Sequence, residues 1–419
     1  MPLTKMQKEY LQNCSHRWNV KSGATGSGKS YLDIAVTIPK RVMACRGEGL
    51  IVLLGNTRGT LERNILEPMR ELWGKQNVGS IRNDNTVKLF GKKAYAMGAD
   101  NKKHVDRIRG TTIEYAYGDE VTTWSQDVFQ MLKSRLRCDH SHFDGTCNPD
   151  SPNHWFKKFL DSDADIYQQA YMIDDGALPA YVVEELKKEY AGTVYYDRYI
   201  LGKWALAEGL IYPMYQNALV DSLPVDDDGD IVPVSDYCIS IDYGTMNAFA
   251  AILWCKRAGI WYAEREYYYS GRTTGIQKTD QEYSDDLDEW ISDIWQEIRM
   301  HPITGDLFGV SYSKIKTIID PSAASFIACL KKNDWSKVRP ADNAVADGIR
   351  ETAVAMQTGK IKILRSLDAW KKEAGGYVWD DKSEEERPIK VDDHLMDSMR
   401  YFVKTMKVAA KNRQYASKY

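Results

Sequence analysis

Lys21-Ser22-Gly23-Ala24-Thr25-Gly26-Ser27-Gly28-Lys29-Ser30 decides how the first half of the chain must fold. From Gly23 the order is Gly, four residues, Gly, Lys, Ser, the spacing of a phosphate-cradling P-loop. The chemistry needs these residue types. Gly23, Gly26 and Gly28 let the backbone turn tightly and aim its N–H groups at phosphate oxygens, with Ala24, Thr25 and Ser27 completing the cradle. Lys29 reaches the β- and γ-phosphates of ATP, and the Ser30 hydroxyl holds Mg²⁺. A plain glycine-rich turn is the alternative. The flanks decide against it: a short apolar run (Trp18, Val20) precedes the loop and a helical run (Tyr31 to Arg46) follows, the strand–loop–helix setting the motif requires. The helix adds the positive end of its dipole.

Thr4 to Asn13, upstream, is predicted helical; Gln7 within it is a candidate for the adenine edge, or a solvent-facing glutamine. Gly49-Leu50-Ile51-Val52-Leu53-Leu54-Gly55 reads as a strand buried on both faces of a parallel sheet. Arg58 follows at its C-terminal end, where such sheets bind ligands. Short strands are expected at Val87 to Phe90 and Ala94 to Met97, and the basic stretch 102–110 is either a solvated loop or a DNA contact. Thr112-Ile113-Glu114-Tyr115-Ala116-Tyr117-Gly118-Asp119-Glu120 is a β-rich run ending in two acids. Downstream of a P-loop, Asp119 is assigned to the Mg²⁺ shell and Glu120 to the general base. A helix is predicted over Trp124 to Leu136. Arg135 on it is a candidate for stabilising charge on the transferring phosphoryl group, or an ordinary surface arginine. Thr146 and Asn148, after the next strand, stand where a sensor of hydrolysis belongs.

Composition sets the outer limits. A chain of 419 residues accommodates two domains, and 43% hydrophobic with 27% charged residues is the balance of a soluble globular protein. No apolar run approaches membrane-spanning length, and the first residues lack a signal-peptide core. Seven scattered cysteines without a CxxC pair read as reduced thiols of a cytoplasmic protein. A net charge of −3 announces no global nucleic-acid binder, which leaves local basic patches for any DNA contact.

The texture changes near Ala205. Pro213, Pro224, Asp226-Asp227-Asp228-Gly229-Asp230 and Pro233 make a turn-rich connector, so the expected division is 1–205, a linker 206–235, and 236–419. Beyond it come three strands at hairpin spacing, Tyr237 to Gly244, Ala248 to Trp254 and Ile260 to Tyr269. An amphipathic segment, Asp280 to Met300, precedes a strand ending in Asp320. Helices around 324–332 and 342–357, a strand at 360–364 and a final helix starting near Asp393 complete the order. That is the order of ribonuclease-H-like nucleases. Asp242, Asp320 and an acid or histidine of the last helix (Asp393, His394 or Asp397) are the candidate ligands of two divalent metals about 4 Å apart. Oxygen-rich donors of this kind suit Mg²⁺ or Mn²⁺. The fold class expected is thus α/β: a P-loop ATPase domain with a mainly parallel sheet, then a ribonuclease-H-like domain with a mixed sheet.

Together these residues resemble the large terminase subunit of tailed bacteriophages, over nearly the whole chain. The resemblance rests on Gly23 to Ser30, Asp119-Glu120, Thr146-Cys147-Asn148-Pro149 (similar to the family's coupling motif), Asp242, Asp320 and Asp393-His394-Leu395-Met396-Asp397-Ser398-Met399-Arg400-Tyr401. In one respect the chain departs from it: Ala24 and Thr25 stand where many members carry an arginine. The resemblance then implies an arginine supplied in trans, which falls on Arg135. It further implies ATP-driven movement of double-stranded DNA into a procapsid and endonucleolytic cutting of concatemers. The implied partners are a portal protein and a small terminase subunit, with a homo-pentamer on the portal and a monomer in solution, in the cytoplasm of the infected host. Two rivals stay open: a helicase or repair ATPase whose second domain only binds nucleic acid, and a nucleotide-gated scaffold without turnover.

Overall fold

Strand β1 (Trp18–Gly23) buries all six of its residues, and the chain around it builds a sheet from β2 (Leu50–Gly55), β3 (Thr86–Leu89), β4 (Lys92–Gly98), β5 (Ile113–Gly118), β6 (His142–Cys147) and β7 (Ile166–Tyr171). The order is β3-β4-β2-β5-β6-β1-β7, parallel throughout except for the β3–β4 hairpin. The computed structural model describes residues 3–100, 110–176, 178–245, 247–295, 299–300, 307–308, 315–380, 383 and 386–409. Residues 102–109 of the basic stretch lie outside them. The described residues form two compact units, one within Met1–Lys187 and Val194–Leu206, the other within Lys188–Thr193 and Ala207–Asn412.

In the first unit the doubly covered sheet carries a core on each face. Trp18, Phe129, Phe143 and Phe159 interlock on one, and Ile38, Leu53, Leu61 and Tyr117 lie in the other. Thr4 caps helix α1 (Lys5–Asn13) in a reciprocal box with Gln7. The helix after the P-loop starts at Lys29 and continues through a π-type turn at Asp33–Thr37 to Ala44. The helix expected over Trp124 to Leu136 is shorter: a 3₁₀ turn at Val121–Thr123 precedes a helix over Gln126–Lys133, and Arg135 lies in the turn beyond.

The second unit holds the order β15-β14-β9-β10-β11-β16-β8, with β8 Leu219–Val220, β9 Asp236–Asp242, β10 Ala248–Arg257, β11 Ile260–Ser270, β14 Lys316–Ile319, β15 Val338–Pro340 and β16 Ile361–Leu364. A separate ribbon pairs β12 (Arg299–Met300) with β13 (Leu307–Phe308). β10 is antiparallel to β9 and β11, while β14 lies parallel to β9, the mixed ribonuclease-H-like arrangement. The last helix, α2 (His394–Thr405), packs across β9, β10 and β14. Phe402 stacks on Trp254 at 4.2 Å between ring centroids, a contact worth about 0.5–1.5 kcal/mol beyond its buried area. The amphipathic segment is helical over Asp280–Trp290, followed by a single turn at Ser292–Trp295. One expectation needs correction. The stretch 206–235 is not a free connector: Tyr212 and Ala218 are fully buried, and β8 pairs with β16. Apolar residues spaced between its prolines account for this. Its acidic run is a solvated turn, with Asp226 Oδ1 accepting from the N–H of Asp228 and Asp230.

Candidate active sites

The first site forms at the C-terminal ends of β1, β5 and β6. Gly23 has φ +144°, and a Cβ there would stand 2.1 Å from the Tyr171 carbonyl oxygen, so glycine is obligatory. Gly28, at φ +84°, begins the helix. The loop is gripped from outside: Ala24 N–H donates to Tyr171 O and Thr25 N–H to Tyr199 O. Lys29 is buried and its Nζ turns back onto the carbonyls of Gly23 (2.8 Å) and Ala24 (2.6 Å). Burial pulls its ammonium down to about 8. Ser30 is half-buried on the first helical turn. Gln7 is not solvent-facing: it is buried, Nε2 donates to Gly28 O (3.0 Å), and Oε1 accepts from Thr4 N–H. Both ends of its carboxamide are therefore engaged within the fold.

Asp119 and Glu120 follow β5 directly. Burial, and then the neighbouring Glu120, push the Asp119 carboxyl up to about 7. Glu120 is exposed with a left-handed backbone, φ +50°. Thr146 joins the pair, its hydroxyl donating to Asp119 Oδ1 (3.2 Å) and accepting from Glu120 N–H (3.3 Å). Asn148 Oδ1 accepts from Lys29 Nζ (3.2 Å). The end of β6 thus connects the acids to the loop lysine. Arg135 is elsewhere: its carbonyl accepts from Ile113 N–H, at the opposite end of β5 from Asp119. Arg58 is exposed and donates to Ile81 O. Behind the loop Lys21 and Asp33 form a fully buried ion pair at 2.8 Å, which sequence reasoning missed.

The second site lies in the other unit, where β9 and β14 end beside α2. Asp242 and Asp320 share the Tyr401 hydroxyl, 3.4 Å from Asp242 Oδ1 and 2.8 Å from Asp320 Oδ2. His394 Nδ1 stands 2.9 Å from the other Asp242 oxygen. Burial, with Asp397 and Asp320 nearby, raises the Asp242 carboxyl in spite of the His394 hydrogen bond. Burial would raise Asp320 too, but hydrogen bonds from Ser322 and Tyr401 outweigh it and hold that carboxyl low. Burial works to lower the His394 imidazolium, and the Asp242 contact raises it on balance. Asp397 is clamped, Oδ1 by Arg400 (2.8 Å) and Oδ2 by Lys390 (3.0 Å). Asp393 also meets Lys390 at 3.0 Å. Buried Glu373 accepts from the N–H of Leu395 and Met396, and burial pushes its carboxyl up to about 7.

Residues 394, 397 and 401 fall one and two turns apart on α2, so the helical period explains why His394 and Tyr401 meet at Asp242. That spacing also carried the signal for Tyr401, whereas Glu373 had none. The donor set, two strand-end carboxylates with a third acid close by, is oxygen-rich and anionic. It fits a hard divalent cation. No described helix is long and apolar enough to cross a membrane.

The family model for the N-terminal part of the T4-like-virus type of terminase large subunit matches residues 22–216. Among solved structures the chain is similar to the large terminase of a thermophilic bacteriophage, with 32% identity over 97% of this chain and 100% of that one, and a TM-score of 0.82. Structures of the same phage's large terminase in complex with ADP and with ATP-γ-S match at TM-scores of 0.81 and 0.80, with the same identity and coverage. No curated protein matches the chain.

Proposed function

The chain belongs to the large terminase subunits of bacteriophages, and from that premise we propose that it is a DNA-packaging motor and nuclease. ATP would sit with its phosphates against Gly23, Ala24, Thr25, Gly26, Ser27, Gly28, Lys29 and Ser30. Lys29 would exchange the carbonyls of Gly23 and Ala24 for the phosphates, an anionic acceptor giving the buried ammonium stronger, charge-assisted hydrogen bonds than two neutral carbonyls. Ser30 and Asp119 would hold Mg²⁺, which when bound screens the phosphate charge. Glu120 takes the proton of the attacking water, and Thr146 and Asn148 report the state of the phosphates to β6. Arg135 serves a neighbouring copy of the chain. The complexes of the thermophilic phage's large terminase with ADP and ATP-γ-S support the nucleotide assignment.

In the second unit Asp242, Asp320, Asp397 and His394 would hold Mg²⁺ or Mn²⁺ in a two-metal site, the metals when bound supplying a nucleophilic water and charge stabilisation for phosphodiester cleavage. Tyr401 orients Asp242 and Asp320. The physiological substrate is double-stranded DNA, moved into a procapsid through a portal protein and cut from concatemers, with a small terminase subunit as partner. A homo-pentamer on the portal and a site of action in the host cytoplasm complete the proposal.

The coexistence of a P-loop with its acid pair and a separate Asp242–Tyr401–Asp320 cluster on one chain carries this reading. Lys29→Ala is expected to abolish ATP turnover and leave Mn²⁺-dependent plasmid cutting measurable; Asp242→Ala is expected to do the reverse. Loss of both activities from either well-folded variant refutes the division of labour.

A further inference from the structure

At the end of the first unit's sheet opposite the P-loop, Glu48, Cys138 and His140 bring a carboxylate oxygen, a thiol sulfur and an imidazole nitrogen within 4.8 Å of one another. They stand just before β2 and β6, on two loops that a single buried side chain organises. Glu114, on β5, is almost fully enclosed, and its carboxylate accepts the N–H groups of Gly47, Glu48 and Gly49 at 3.0–3.4 Å and also meets that of Arg46. The same carboxylate lies 3.0 Å from His140 Nε2. The other loop is pinned as firmly. Arg17 donates to the carbonyls of Leu136 and Cys138, and Ser141 Oγ accepts from Cys138 N–H and donates to Ile113 O.

We propose that Glu48, Cys138 and His140 form a binding site for a borderline transition-metal ion, Zn²⁺ being the best match, with water in the fourth position. Sulfur, nitrogen and oxygen donors together select zinc over magnesium or calcium. Zinc–ligand bonds of about 2.0–2.3 Å put tetrahedral donors about 3.3–3.8 Å apart, so donors that already lie within 4.8 Å of one another need only a modest side-chain adjustment to close on the ion. Glu114 plays the part of the carboxylate behind a metal-bound histidine. Accepting from Nε2–H, it fixes the tautomer that leaves the Nδ1 lone pair toward Glu48 Oε2, now 4.0 Å away. Binding would release the Cys138 proton and tie the starts of β2, β5 and β6 together. None of these residues belongs to either active site.

The test titrates the full-length chain with Co²⁺ as the spectroscopic stand-in for Zn²⁺, under excess Mg²⁺ to occupy oxygen-donor sites. The expected result is a thiolate-to-cobalt charge-transfer band that saturates at one ion per chain and disappears on adding Zn²⁺. Cys138→Ser should abolish the band, and Glu114→Gln should weaken Co²⁺ binding about tenfold or more. Cys45→Ser should keep it, because that thiol is directed to the Arg41 carbonyl. Absence of the band in the unaltered chain, its survival in Cys138→Ser, or its loss in Cys45→Ser overturns the proposal.

Discussion

Lys21→Met removes a cation that, like its partner Asp33, has no side-chain exposure. Nζ lies 2.8 Å from Asp33 Oδ1 and 3.8 Å from the centre of the Tyr10 ring. Breaking one side of a buried pair costs about 3–5 kcal/mol, because the survivor is left charged where water cannot reach it. For a unit of this size, at about 2–4 °C per kcal/mol, the first unit should melt about 6–20 °C lower. The loss must also depend on pH. Burial pushes Asp33 up to about 6 even while Lys21 pulls it down, and without Lys21 the carboxyl rises further. A carboxyl raised above its unfolded value favours the folded state most at low pH, and that contribution is lost as pH rises through the folded value. The deficit of Lys21→Met should therefore be smallest at about pH 5 and grow toward about pH 8. Lys21→Met with Asp33→Leu should recover most of it, since apolar replacement of a buried pair is commonly neutral or better. Hydrogen exchange of peptides covering 18–44, read beside thermal scans at several pH values, isolates this unit. A single variant within about 1 kcal/mol of the parent at high pH, or a double variant no better than the single, refutes the reasoning.

Thr146→Val keeps the shape but removes the hydroxyl between Asp119 and Glu120; a lost hydrogen bond to a buried charge, about 1.5–3 kcal/mol, should lower kcat for ATP about 10- to 150-fold, and a change under about twofold in steady-state ATPase assays counts against the relay. Tyr401→Phe should raise the Mn²⁺ concentration needed for half-maximal plasmid cutting about 10- to 100-fold, with an unchanged metal titration as the contrary result. Glu373→Gln should gain stability relative to the parent as pH rises through about 7, because the parent must then bury a charge that the amide lacks. Parallel denaturation curves at pH values on both sides of that point would contradict it.

What the sequence disclosed was local, or lay at the ends of strongly patterned segments. The P-loop needs glycines at fixed offsets, and Gly23, with a carbonyl 2.1 Å from any added Cβ, is the reason the pattern is legible. β2 and β5 are apolar nearly throughout, so the acids after β5 stood out. Arg135 was less accessible: the helix stops at Lys133, and where the next turn lands depends on pairing with Ile113, a contact 22 positions upstream. Glu114 and Glu373 were invisible for the same reason. Glu373 accepts from backbone N–H groups of a distant segment, and Glu114 from such groups together with His140 of another loop, and no local side-chain pattern marks either acceptor. Lys21 reads as a polar interruption in a strand until Asp33 is seen beside it. The connector 206–235 misled through its prolines, which break helices but leave Tyr212 and Leu219 free to pack.

Each of the two proposed active sites sets a single hydroxyl against its acids, and the chemistry of a hydroxyl explains what it does there. An O–H has one proton to give and room to accept. Thr146 spends its proton on Asp119 and accepts from the Glu120 backbone, so its direction is fixed and a change at Asp119 reaches Glu120 through one oxygen. Tyr401 has two carboxylates and one proton. It sits closer to Asp320, the carboxyl held low, than to Asp242, the carboxyl pushed up. The stronger hydrogen bond goes to the group already ionised, as charge-assisted bonding requires, and Asp242 is left to His394. A cation arriving between these carboxylates would lower both and remove the asymmetry, so Tyr401 and His394 are the side chains whose hydrogen bonds must change on metal binding.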